Sequence, residues 1–403
     1  AVRSGETPLA LALGEGHTCA LFEAGIPCCS RSVVCWGRNA AGQLGLGDSD
    51  TTAHVDTPAT AGEAQLHANE TVAAMDAGTN HTCAVYVTGG LVCWGAGGFG
   101  RLGSGATAAI GLTQTPGSQT MVTLPASRSA VQVSCGDEHT CVILDNGDLI
   151  CFGAGGSGRL GYGDTADRGV DGSSTPDMLL PVQLPVNRTA VQVSAGAEHT
   201  CAVLDDATVA CWGEGDDGRL GYGNTTDVGD DEHPGDAGIV RMPFNQPVAS
   251  VSAGGKHTCA TLRVGSIVCW GASPNGELGR GSNATVGAVP WLQPGYAHAI
   301  TVPPLLTAAN VTLSEPPTVP VVCSTTPFPT PAATGTATPF PTPAATGTAT
   351  PFPTPAATGT ATPFPTPAAT GTATPFPTPA ATGTATPFPT PAATGTATPF
   401  PTP

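Results

Sequence analysis

Lysine is almost absent. The chain has one, Lys256, in 403 residues, and its formal net charge is -17. Phosphate backbones and anionic lipid surfaces are bound by clustered Lys and Arg, so neither nucleic acid nor an anionic membrane surface is expected as a partner. Aromatic residues make up 5% of the chain and there are four methionines, which leaves few large side chains to fill a core. No run of about 20 apolar residues occurs, so no helix is expected to span a membrane, and no hydrophobic terminal tail suggests a lipid anchor. The chain opens on the polar stretch AVRSGETP, without a signal peptide, which reads as a mature or shortened start. No C-x2-C pair is present, so a structural zinc site is not expected. The glycine-rich GRLGYG segments are followed by neither a helix pattern nor Lys-Ser/Thr, so they read as turns rather than phosphate loops. No Ser-His-Asp or Cys-His arrangement stands out, and an enzyme is not expected. Beyond residue 315 there is no Asp, Glu, Lys or Arg at all.

What the chain has instead is cysteine, fourteen of them, in a repeating frame. Aligning on His-Thr-Cys gives His17, His81, His139, His199 and His257, at steps of 64, 58, 60 and 58 residues. Each is followed by a second cysteine: Cys19–Cys35, Cys83–Cys93, Cys141–Cys151, Cys201–Cys211 and Cys259–Cys269. Around the fourth, MLLPVQLP (178–185), TAVQVSAG (189–196), HTCAVLD (199–205) and TVACWG (208–213) are all of strand length, with no helical periodicity between them. Four strands per repeat and five repeats predict an all-β protein, a β-propeller of about five four-stranded blades over residues 1–315.

A hairpin explains the spacing. If Cys201 faces Cys211, then Leu204 faces Thr208 and Asp205-Asp206-Ala207 forms a three-residue loop. Such loops favour a left-handed residue in third place, and Gly89, Gly147 and Gly265 supply it in the sister hairpins. Directly opposed strand residues lie within disulfide reach, so each pair is expected to staple its hairpin, in an oxidising compartment. Cys28, Cys29, Cys135 and Cys323 fall outside the frame, and their pairing is left open. The segment HAITVPPLL (298–306) matches a first strand, and is expected to complete the first blade and close the ring.

The recurring motifs G-x-x-HTCA, CWG and G-x-LG-x-G resemble the repeats of the regulator of chromosome condensation family. The resemblance spans residues 13–283 and implies a β-propeller, typically of seven blades. Its members serve varied ends: nucleotide exchange on small GTPases, chromatin binding, β-lactamase inhibition and extracellular roles. This acidic, cysteine-paired chain is similar to the extracellular kind.

Each candidate site residue has a plain structural reading beside it. The HTC histidines are expected to satisfy structural hydrogen bonds, and the tryptophans of CWG to pack, since Phe152 stands in for one of them. Arg101, Arg159 and Arg219, one per repeat before LG, are expected to form structural ion pairs. Asp164, Asp167, Asp171, Asp227, Asp230 and Asp231 lie in two long loops and carry the oxygen donors that calcium prefers, though without EF-hand spacing. No other cofactor is expected. Asn69, Asn80, Asn187, Asn224, Asn283 and Asn310 are N-glycosylation sequons, Asn80 within the enclosed NHTC stretch.

From Thr326 the twelve-residue unit TPFPTPAATGTA runs six times and ends on TPFPTP, after a linker at 316–325. Uncharged and rich in proline, residues 326–403 cannot bury a core. In polyproline II, with three residues per turn, twelve residues make whole turns and bring every Phe to one side, at a repeat of ~37 Å. The tail resembles hydroxyproline-rich surface glycoproteins of plants and algae. That resemblance implies hydroxylation or O-glycosylation at positions such as Pro327, Pro329, Pro331, Thr326, Thr330, Thr334 and Thr336. The expected function is a secreted glycoprotein that self-associates into an extracellular fibre, wall or layer. The alternatives are a cell-surface recognition module, binding a glycan or protein as an adhesin or lectin does, and a nucleotide exchange factor for a small GTPase.

Overall fold

The computed structural model describes residues 6–24, 31–48, 57–289 and 294. All lie in the first of the two units into which the chain divides, Ala1–Pro327 and Phe328–Pro403. Five antiparallel sheets follow one another along the chain. The first holds β1 (Glu6–Leu13), β2 (His17–Ala24) and β3 (Arg31–Gly37); the second β4 (Val72–Ala77), β5 (His81–Tyr86) and β6 (Leu91–Gly95). The third holds β7 (Ala130–Cys135), β8 (His139–Leu144) and β9 (Leu149–Gly153). The fourth holds β10 (Ala190–Ala195), β11 (His199–Leu204) and β12 (Val209–Gly213), and the fifth β13 (Val248–Ala253), β14 (His257–Leu262) and β15 (Ile267–Gly271).

The hairpin register is the one the cysteine spacing demands. Cys201 faces Cys211, Ala202 faces Ala210 and Val203 faces Val209. A disulfide joins the facing pair in all five blades, with Cα atoms 4.1 Å apart. In the four hairpins with three-residue loops the third loop residue is left-handed: Gly89, Gly147 and Gly265 have φ of 84°, 82° and 86°, and Ala207 is held at 65°. Ala207 alone carries a Cβ in that conformation, which costs about 1 kcal/mol relative to glycine. Ala207→Gly is therefore expected to stabilise the fourth blade by about that amount, read as a higher thermal midpoint with unchanged cooperativity.

The expected fourth strand does not form. Each described blade is a three-stranded sheet, and its outer strand meets the segment that follows only at isolated points. Val182 donates its N–H to the carbonyl of Leu149 at 2.7 Å, Val122 to Leu91 at 2.8 Å and Val240 to Val209 at 2.7 Å. The segment beside Val182 is engaged elsewhere, the Gln183 carbonyl accepting from the Gly235 N–H at 2.9 Å, so the bridge does not extend into a ladder.

A phenol takes up the slack at two outer edges. The Tyr222 hydroxyl accepts the N–H of Cys211 at 3.1 Å and faces the Cys211 and Gly238 carbonyls at 3.1 and 3.2 Å. Tyr162 does the same for Cys151. Burial pushes the Tyr222 phenol up to about 12, so it stays protonated and able to donate. Tyr222→Phe is expected to cost roughly 1–3 kcal/mol, because it leaves backbone groups of Cys211 unpartnered. Chemical denaturation of the variant beside the parent measures it.

The first strand of each blade lies innermost, and the five loops that follow these strands converge. Gly14, Gly78, Gly136, Gly196 and Gly254 line one 260 Å³ depression between them. Trp94, Phe152, Trp212 and Trp270 are fully buried between blades, as packing residues would be. Cys135 is a buried free thiol at the place of Ala77 and Ala195 in the neighbouring repeats. Cys28, Cys29, Cys323 and the ring-closing segment 298–306 lie outside the described residues. The outer edge of the first blade is already met by its own chain, where Ala64 donates to Val33 at 2.9 Å.

Candidate functional site

The repeated histidines form a clasp from blade to blade. His17 Nε2 lies 2.8 Å from Thr82 Oγ1, His81 2.9 Å from Thr140, His139 2.9 Å from Thr200 and His199 2.8 Å from Thr258. Each threonine hydroxyl donates onward to a backbone carbonyl, of Gln43, Arg101, Arg159 and Arg219 respectively. The hydroxyl must then accept from the ring, which places the proton on Nε2 and leaves Nδ1 bare. Nδ1 of all four rings is buried without a partner. Burial holds these rings neutral: His17 is lowered to about 4, His81 and His199 to about 3, and His139 well below its ordinary value. A charged guanidinium adds to the effect at His81, His139 and His199. A neutral, fully enclosed ring with one fixed proton supplies a structural joint and offers no base to a substrate. The threonines of HTC are the partners that sequence reasoning missed, although they recur as faithfully as the histidines.

A second joint runs beside the first. Arg101 pairs with Glu138 at 3.3 Å and Arg159 with Glu198 at 3.4 Å, each glutamate standing just before the histidine of the next blade. The first joint is neutral instead, Gln43 donating to Asn80 Oδ1 at 3.3 Å. At the fourth joint the corresponding residue is Lys256, which would repel an arginine, and Arg219 turns to Glu214 and Asp217 in its own loop. The three arginines are thus paired, as expected, but mainly to the residue before HTC rather than to the long acidic loops.

Most of the candidate calcium ligands are spent on local turns. Asp164 accepts the Ala166 N–H and binds Arg168 at 2.7 Å. Asp167 accepts from Gly155, Asp227 from Gly215, and Asp171 from Ser173 and Ser174. Asp230 and Asp231 do come together, with Glu232, their oxygens within 4.8 Å of one another. Burial and the two neighbouring carboxylates push Glu232 up to about 7. A further grouping of His81, Cys83 and Cys135 cannot ligate as a set, because Cys83 is held in its disulfide.

Asn69, Asn187, Asn224 and Asn283 are exposed, whereas Asn80 is half-buried with its amide oxygen engaged by Gln43. Asn310 and the tail positions lie outside the described residues. An 850 Å³ groove lies on the fourth blade, rimmed by Asn224, Asp227, Glu232 and Arg241 over a floor of Tyr222 and Val240.

Comparison with known proteins fits this geometry. The Regulator of chromosome condensation (RCC1) repeat matches residues 32–85, 88–143, 146–203 and 206–261, more than half of the chain. The ultraviolet-B receptor UVR8 of Arabidopsis thaliana is 31% identical over 275 residues, 68% of this chain and 55% of the receptor. The E3 ubiquitin-protein ligase HERC2 of Homo sapiens is 28% identical over 244 residues, 60% of this chain and 5% of the ligase. The chain thus spans about half of one relative and a small part of the other. Among solved structures, human WBSCR16 superposes with a TM-score of 0.58 at 18% identity, covering 78% of this chain and 72% of that one. By its repeats and its fold, the chain belongs to the RCC1 repeat family.

Proposed function

We propose that the protein is a secreted glycoprotein with a structural role, a disulfide-stapled propeller carried on the Pro/Thr-rich segment 326–403 and assembling with copies of itself into an extracellular layer or fibre. The observation that carries this reading is the disulfide at the same register in every described blade. Such a set persists in oxidising compartments and is rare in the cytosol, where a nucleotide exchange factor works. Four exposed sequons support the same compartment. The buried, structurally engaged histidines give no support to an enzymatic role.

A second reading, a surface recognition module, is favoured by the groove on the fourth blade. The two readings part at Asn224, because a glycan there would occupy the groove rim. The deciding experiment is the mass of the natural protein, intact and deglycosylated, with and without reduction, against the 39.8 kDa of the bare chain. A heavier, heterogeneous mass with sugar on the tail and no free thiol in the regular pairs is the expected result. A mass near 39.8 kDa with titratable thiols in those pairs would overturn the proposal and return the exchange factor to first place.

A further inference from the structure

The groove on the fourth blade brings opposite charges and an unburied ring to one place. Its 850 Å³ are lined largely by apolar side chains, among them Tyr222, Ile239, Val240 and Met242. Glu232 stands on the rim and brings Asp230 and Asp231 with it, the three carboxylates within 4.8 Å of one another. Like charges this close repel, and burial together with the two neighbours pushes Glu232 up to about 7. A cation brought to the cluster relieves that repulsion. Arg241 lies on the rim as well, and it is exposed. Among the described residues, no ion pair joins it to these carboxylates.

The ring is Phe244. It stands on the same rim segment, between the lining residues Met242 and Asn245, and is 94% exposed. Its counterparts in the two preceding repeats are the smaller Ala126 and Val186. The backbone that presents it is also out of the ordinary. Phe244 and Asn245 both lie in the left-handed region, at φ of 54° and 53°, where the preceding loops place one residue each, Ser127 and Asn187. Side chains with a Cβ are disfavoured there, so a second such residue costs stability. A strained segment that turns a large ring into water gains nothing within its own chain, and the gain is to be sought in a contact outside it.

An acidic rim over an apolar floor calls for a cation followed at short range by an apolar ring. The groove's own rim supplies that order, Arg241-Met242-Pro243-Phe244. A surface that carries both halves of a contact is self-complementary, which is the condition for a twofold interface between identical chains. We propose that this groove docks a second copy of the chain: Phe244 of each copy enters the groove of the other, and Arg241 of each meets the other's Asp230, Asp231 and Glu232. The inference deepens the self-assembly proposed above and rests on that reading. A twofold contact closes on itself, so it pairs heads and leaves the growth of a layer or fibre to other surfaces. Asn224, on the same rim, is then free of sugar.

The test is sedimentation velocity with light scattering on the full oxidised chain, across a wide range of concentration. The parent is expected to dimerise. Phe244→Ser is expected to weaken the dimer about thirtyfold, as loss of a buried aromatic anchor does. Arg241→Glu, and the double variant Asp231→Arg, Glu232→Arg, are each expected to weaken it at least about tenfold, because each sets like charges against one another. Mixed in equal amounts, these two variants are expected to form a heterodimer near the parent's affinity, since every contact then joins opposite charges. Variants that stay apart when mixed would overturn the inference. A parent that dimerises no better than Phe244→Ser and Arg241→Glu would overturn it too, and leave the assembly reading to another surface. So would a glycan mapped to Asn224 in the natural protein, which covers the groove. A natural protein that is monomeric at every concentration would overturn this inference and the assembly reading together.

Discussion

Moving the protein from pH 7 to pH 5 is expected to cost it several kcal/mol of stability. His17, His81, His139 and His199 are neutral in the fold and ordinary when unfolded, so on acidification the unfolded chain takes up protons that the folded chain refuses. Their stabilising effect is complete above about pH 6.5 and drains away below it, at about 1.4 kcal/mol per pH unit for each ring. The loss ends near pH 4 for His17 and near pH 3 for His81 and His199. At pH 5 each ring has lost about 2 kcal/mol. Asp76, Glu214 and Glu232 are raised in the fold and work the other way, but the two glutamates are partly open to solvent, which screens their share. Denaturant titrations at half-unit pH intervals measure the slope. The double variant His81→Gln, His199→Gln is expected to be weaker at pH 7 and distinctly flatter below it. A parent whose stability is level between pH 7 and pH 5 would show that the rings are not held neutral.

Reduction is expected to unfold the propeller outright at physiological temperature. Four bridges span ten positions and the first spans sixteen. By loop entropy each is worth roughly 2–3 kcal/mol, so the five together match or exceed the 5–15 kcal/mol by which a domain is ordinarily stable. The interior has little with which to compensate: its largest buried side chains are three tryptophans, one tyrosine, one phenylalanine and an arginine, amid many alanines and valines. Circular dichroism melts with and without a membrane-permeant dithiol, with thiols counted afterwards, make the comparison. A fully reduced chain that melts where the oxidised one does would remove the bridges from the list of what holds the fold.

The hairpins were legible because everything that decides them is local. Cys201, Cys211 and the loop residue Ala207 lie within eleven residues, and period-two alternation points all of them in known directions. The fourth strand was misjudged because VQLP reads as apolar and extended, while its backbone is partly taken by the following repeat, where Gly235 donates to Gln183. The joints were harder. Thr200 is an unremarkable polar residue until its neighbour is known to be a histidine 61 positions away, and Glu138 looks like any surface charge until Arg101 reaches it. Yet a trace was there: Gln43 meets Asn80 where Arg meets Glu elsewhere, so both partners change together down the repeats. The acidic loops admit two readings in sequence. Aspartates that suit a cation also suit turns, and Asp164, Asp167 and Asp227 are engaged by backbone N–H groups of their own loops.

Because every clasp joins a histidine of one blade to the threonine of the next, all four clasps are interchangeable, though the charged pairs beside them are not. A gene that gained or lost one whole repeat would present the same donor and the same acceptor at each new boundary, and the chain would fold with one blade more or fewer. A deletion of half a repeat would instead strand a ring nitrogen, a buried hydroxyl and an unmatched thiol at once. Blade number is thus the quantity this design leaves free to drift between related proteins, while the length of a repeat is held.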